Sequence, residues 1–125
     1  MKPDISKRKD IDELLRAFYD RLLADDSINY IFNDVMKVDM KAHLPVIGDF
    51  WETLLLESNS YRKNVMRLHL DINHQTPLLK HHFNTWLRHF NSTVDDMFEG
   101  PIAFRAKERA LSIATMMRVK IAQQE

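Results

Sequence analysis

Between Thr76-Pro77 and Gly100-Pro101, apolar residues recur every three or four positions: Leu79, Phe83, Trp86, Leu87, Phe90, Val94, Met97 and Phe98. That rhythm marks one buried face of a helix; a half-buried strand would alternate every second residue. The ends are set by chemistry. Thr76 is a capping residue followed by proline at the first helical position, and Gly100-Pro101 stops one helix and starts the next. A helix is therefore expected over 77–98. The same rhythm runs through the rest of the chain, and 2 Gly and 4 Pro in 125 residues leave few turn formers. The chain reads as a single all-α domain over residues 10–125, behind a polar and mobile lead-in of residues 1–9.

Five further helices follow from the same signals. Asp10, with Glu13 three residues on, has the pattern of a capping box and opens a helix over 11–24. Its stripe is Ile11, Leu14, Leu15, Phe18 and Leu22, with Tyr19 turned inward between Leu15 and Leu22. Asp25-Asp26-Ser27 ends it and leads into a short helix over 28–32 carrying Tyr30, Ile31 and Phe32. Asp39 caps a helix to Leu56 on which His43, Ile47, Phe50 and Leu54 share a face, widened by Trp51 and Leu55. Pro45 belongs in a first turn, so this helix starts later than Asp39 or kinks there. A short helix over 65–70 carries His69 and needs something to pack on, because so short a helix is marginal in water. The last helix, 102–122, buries Ala103, Ala106, Ala110, Ile113, Ala114 and Met117, small enough for a close neighbour.

Composition removes several classes of function. Lys plus Arg, 18, equals Asp plus Glu, 18, so the whole chain has no electrostatic footprint for nucleic acid or an anionic membrane. No apolar run approaches the roughly 20 residues of a bilayer span, and no signal peptide follows Met1, so cytoplasm is the expected compartment. The absence of cysteine removes disulfides, thiolate chemistry and iron–sulfur ligation. No glycine-rich phosphate loop and no Gly-x-Ser-x-Gly occur. Zinc has little support among the six histidines. His81 and His82 face different ways on a helix, His82 and His89 are seven apart, and His-Glu-x-x-His is missing.

Haem asks for a different set: one proximal imidazole, apolar walls and a few polar groups on the distal face. His69, between Leu68 and Leu70, suits the proximal role. Tyr19, His43 and Trp86 lie on the apolar stripes of three separate helices and offer an O–H, an imidazole and an N–H. Such donors can hold a dioxygen ligand whose oxygens carry partial negative charge, at about 1–3 kcal/mol each in a dry pocket. The same residues also suit a haem-free helical interaction module, an adaptor or regulator in which every stripe is simply core.

The ordered set Phe18-Tyr19, Ile31-Phe32, His43 with Ile47-Gly48-Asp49-Phe50-Trp51, Arg67-Leu68-His69-Leu70-Asp71 and Phe83-x-x-Trp86-Leu87-x-x-Phe90 resembles a group III truncated haemoglobin from about Ile11 to the end. The resemblance implies a shortened globin fold, two helices packed across two others around haem b. It implies His69 as proximal iron ligand and Tyr19, His43 and Trp86 as the distal polar positions. Phe32 matches the residue that packs on the haem plane, and Ile47, Phe50 and Trp51 match the lining of the distal helix. Arg67 and His81 are the propionate candidates, by their placement near the proximal helix. The Gly-Gly pairs of the other two groups are absent.

The function so implied is binding or transport of dioxygen and related ligands such as nitric oxide, carbon monoxide, cyanide or peroxide. Nitric oxide dioxygenase or peroxidase-like activity would depend on a separate reductase. His43 can also coordinate the iron directly when no gas is bound. A haem-based sensor is a further reading, though 125 residues leave no room for an output domain.

Overall fold

A computed structural model describes residues 2–31, 40–56 and 80–124. They form four helices: α1 (Arg8–Leu23), α2 (Met40–Leu56), α3 (Lys80–Met97) and α4 (Pro101–Gln124). The pairs α1–α2 and α3–α4 pack within themselves, and α1 on α3 and α2 on α4 join the pairs. The architecture is all-α, two helices across two, as expected.

The α1 helix begins three residues before the expected start. Lys7 is the N-cap, and Asp10 sits at the third helical position. The Asp10 carboxylate reaches back to accept from the Ser6 N–H at 2.9 Å, the Ser6 hydroxyl at 3.1 Å and the Lys7 N–H at 3.2 Å. An acidic residue can cap from inside the first turn as well as from its edge, and here Asp10 does the former. Beyond it Ile11, Leu14, Leu15, Phe18, Tyr19 and Leu22 are buried, the spacing the sequence shows. The helix stops where Asp25 accepts from the N–H and hydroxyl of Ser27, a local turn that competes with helical bonding.

Residues 2–5 contact the helices at specific points. Ile5 is fully buried. Pro3 C=O accepts from the Glu99 N–H at 2.9 Å, and Lys2 Nζ donates to Asp95 C=O at 2.7 Å. Asp4 caps α4 from a distance of almost a hundred residues, accepting from the N–H groups of Ile102 at 3.0 Å and Ala103 at 2.8 Å. Those are orphan donors of a first turn, and a carboxylate there also meets the positive end of the helix. Gly100, at φ +141°, makes the corner; a Cβ there would come within 2.6 Å of the Asp4 carboxyl carbon.

In α2, Pro45 is accommodated without ending the helix, which begins at Met40; the expected cap Asp39 lies outside the described residues. The buried centre runs through Ile47, Trp51 and Leu55, with Phe50 and Leu54 half-buried beside it. Arg8 clamps α2 to α1. Its guanidinium donates to Asp49 at 2.7 Å, Glu52 at 3.1 Å and Pro45 C=O at 3.0 Å, while Asp12 holds it from its own helix at 2.9 Å. In α4 the expected small residues Ala103, Ala106, Ala110 and Ala114 are buried together with Met117, which lets that helix lie close against α3.

Candidate functional site

Two of the three expected polar residues meet directly. Tyr19, deep on α1, and His43, near the start of α2, approach to 3.1 Å between the phenol oxygen and Nε2. The rings stand edge to face, 87° apart, with centroids at 5.2 Å. Burial pushes the Tyr19 phenol far above its ordinary value, so it keeps its proton across the working pH range. The pair has two arrangements. Tyr19 can donate to His43 Nε2, or the imidazole can donate from Nε2 and free the phenol proton for another acceptor.

Trp86, on α3, forms the adjoining wall. Its ring is edge-on to Phe18 at 5.6 Å and stacks on Phe90 at 5.7 Å with 13° between planes. Phe90 in turn stacks on Trp51 at 4.9 Å and meets Phe18 edge-on at 5.2 Å. Phe18 also touches Tyr19, with centroids at 5.1 Å. Three helices thus meet in one aromatic wedge that fixes Tyr19 and Trp86 by packing. Offset and edge-to-face ring pairs each add about 0.5–1.5 kcal/mol beyond burial. Among the described residues, none accepts a hydrogen bond from the Trp86 indole N–H.

The other expected positions divide as follows. Ile47 and Trp51 are buried in the core and Phe50 is half-buried against it, its ring 5.7 Å from that of Trp51. His81 is exposed, with its ring 4.0 Å from that of His82. Phe32, Arg67 and His69 lie outside the described residues, as do the short helix expected over 65–70 and the start of the helix expected at 77.

Two polar pairs were not anticipated. Buried His82 makes a 2.7 Å hydrogen bond between Nε2 and the hydroxyl of Tyr30. Burial, then the neighbouring charge of His81, pulls the His82 imidazole below its ordinary range. His89 Nε2 meets the Asp25 carboxylate at 2.7 Å. The hydrogen bond from His89, then those from Ser27, hold that carboxyl well below the usual carboxylate range. Both pairs tie α3 to the segment that follows α1.

The described residues set three polar groups beside a packed aromatic core. A phenol O–H, an imidazole and an indole N–H with no acceptor among the described residues suit a ligand that carries negative charge. This donor set fits haem.

The comparisons lead the same way. The arrangement of helices is that of the truncated globins: the chain superposes on the crystal structure of a group III truncated haemoglobin from Campylobacter jejuni with a TM-score of 0.84, covering 97% of this chain and 95% of that one. The sequence of the group 3 truncated haemoglobin of Campylobacter jejuni is 26% identical over 118 residues, 92% of this chain and 91% of that protein. The resemblance to group III truncated haemoglobins therefore holds in sequence and in fold, over nearly the whole length. No protein-family model matches the chain.

Proposed function

We propose that this protein is a group III truncated haemoglobin that binds haem b and, on the iron, dioxygen or a related small ligand. The observation that carries the reading is the buried Tyr19–His43 pair beside the Trp86 indole, on a fold similar to that of a known member of the group. Haem would supply an iron atom able to take such a ligand. His69 would ligate that iron, and Phe32, Arg67 and His81 would help to hold the cofactor, as the resemblance implies.

The chain's own residues then have separable tasks. Tyr19 stays protonated and donates its O–H. His43 fixes the phenol's direction and, by its choice of tautomer, decides whether that proton is spent on the imidazole or on the ligand. Trp86 adds an N–H from the neighbouring helix. Phe18, Trp51 and Phe90 exclude water, so each donor acts in a low dielectric where its bond counts for more. Nitric oxide dioxygenation or peroxide reduction at this site would draw electrons from a separate reductase.

Titration of the purified protein with haemin tests the proposal. The expected result is a Soret band that grows to one haem per chain and stops. A protein that stays colourless, keeping its fold without haem, would be a helical interaction module instead.

A further inference from the structure

Among the described residues, every exposed large apolar side chain lies on α4: Phe104 at 60%, Leu111 at 55%, Met116 at 56% and Val119 at 51%. Single exposed apolar residues are ordinary, whereas a cluster on one element marks a surface that binds something. At roughly 100° per residue, Phe104, Leu111 and Val119 fall within about 80° of each other, opposite the buried alanines. They form a stripe about 22 Å long at about 1.5 Å per residue.

The stripe is rimmed by cations. Arg105 and Arg109 follow on one side, and Arg118 on the other. None of these three has an ion-pair partner among the described residues, whereas Arg8, Arg21, Arg88 and Lys107 each have one. Glu108, the one acidic residue between Pro101 and Val119, falls with Thr115 inside the stripe, so the face carries three arginines to one carboxylate. The zero net charge of the whole chain thus conceals a cationic helix face.

We infer that this face of α4 docks on the surface of an anionic lipid bilayer, its apolar stripe at the acyl boundary and its arginines on headgroup phosphates. A helix lying flat with apolar residues between two basic flanks is the geometry of interfacial attachment. Three features argue against a protein in that place. A stripe of three apolar side chains falls far short of the roughly 20–30 residues per partner in a stable protein interface. An antiparallel pairing with a second copy would set Arg105 against Arg118. The stripe is also convex, and a fluid bilayer conforms to a ridge where a folded partner would need a matching groove. Attachment here would put the Trp86 wall one helix away from the lipid, since Ala114 and Met117 on the inner side of α4 pack with Phe83 and Trp86. No span is implied: no described helix is long and apolar enough to cross a membrane.

Co-sedimentation of the full chain with vesicles tests the inference, using equal parts phosphatidylglycerol and phosphatidylcholine against phosphatidylcholine alone. The wild type is expected to partition at least about tenfold more onto the anionic vesicles and to be released by salt. Each arginine near such a surface contributes about fivefold, so the triple variant R105Q/R109Q/R118Q should lose on the order of a hundredfold. Phe104→Ser with Leu111→Ser should weaken binding while leaving its salt dependence in place. All five positions are exposed, and an unchanged thermal melt shows that the variants fold. Absent sedimentation, equal binding to both vesicles, or unchanged binding by the triple variant overturns the inference. A concentration-dependent dimer that Phe104→Ser abolishes, with no vesicle binding, would give the face to a second copy instead.

Discussion

Tyr19→Phe isolates the donor on which the proposed ligand site most depends. The substitution removes one oxygen and leaves the ring, so the contacts with Phe18 and the edge-to-face approach to His43 survive. What is lost is the 3.1 Å bond to His43 Nε2 and the proton available to a ligand. A net intramolecular hydrogen bond is worth about 0.5–1.5 kcal/mol, and one to a partly charged ligand in a dry pocket about 1–2 kcal/mol. At about 1.4 kcal/mol per tenfold, dioxygen release should quicken roughly five- to thirtyfold. The global stability cost should be smaller than for a core truncation, because no cavity opens and His43 is only half-buried. Stopped-flow displacement of dioxygen by carbon monoxide reads the off-rate directly. An unchanged off-rate in a variant that still binds haem would remove Tyr19 from ligand control and, with it, the reasoning built on the pair.

Three predictions concern the frame around the site. Asp4→Ala removes the remote cap of α4 and should cost about 1 kcal/mol in urea unfolding, an effect absent if residues 2–7 were loose. Ala110→Leu forces a larger side chain into a fully buried position between α4 and its neighbours and should cost about 1–3 kcal/mol by the same measurement. The Asp25 carboxyl is depressed in the fold relative to about 3.9 in an unfolded chain. Its contribution is therefore present above about pH 4 and lost as pH falls through the lower folded value. Melting temperatures of wild type and Asp25→Asn should thus converge below about pH 4; curves that stay parallel there would contradict the assignment.

The helices were legible because burial writes its period into the chain. The stripes through Leu14, Phe18 and Leu22, through Phe83, Phe90 and Val94, and through Ala103, Ala106 and Ala110 are visible without a structure and are buried in it. The same logic turned Tyr19, His43 and Trp86 inward. It could not say which of them touch. The Tyr19–His43 bond depends on how α1 crosses α2, a tertiary quantity that no local spacing records. His82 with Tyr30 and His89 with Asp25 were missed for the same reason: the partners stand 52 and 64 residues apart. That His81 and His82 face different ways follows from helical spacing, but which of them is buried depends on how α3 packs. At the N-terminus the difficulty was different. Asp4 and Ile5 sit in a polar stretch with no period; Asp4 meets the distant Gly100 corner and Ile5 joins the core. The segregation of charge on α4 was in plain view, hidden by summing over the whole chain.

His69 is the proposed ligand of the haem iron. The most direct measurement is the absorption spectrum of the reduced, haem-loaded protein beside His69→Gly, with and without added imidazole. The account predicts a histidine-ligated spectrum in the wild type, an altered one in the variant, and restoration when free imidazole fills the vacated position. A variant whose spectrum matches the wild type before imidazole is added would show that the iron is held by another residue.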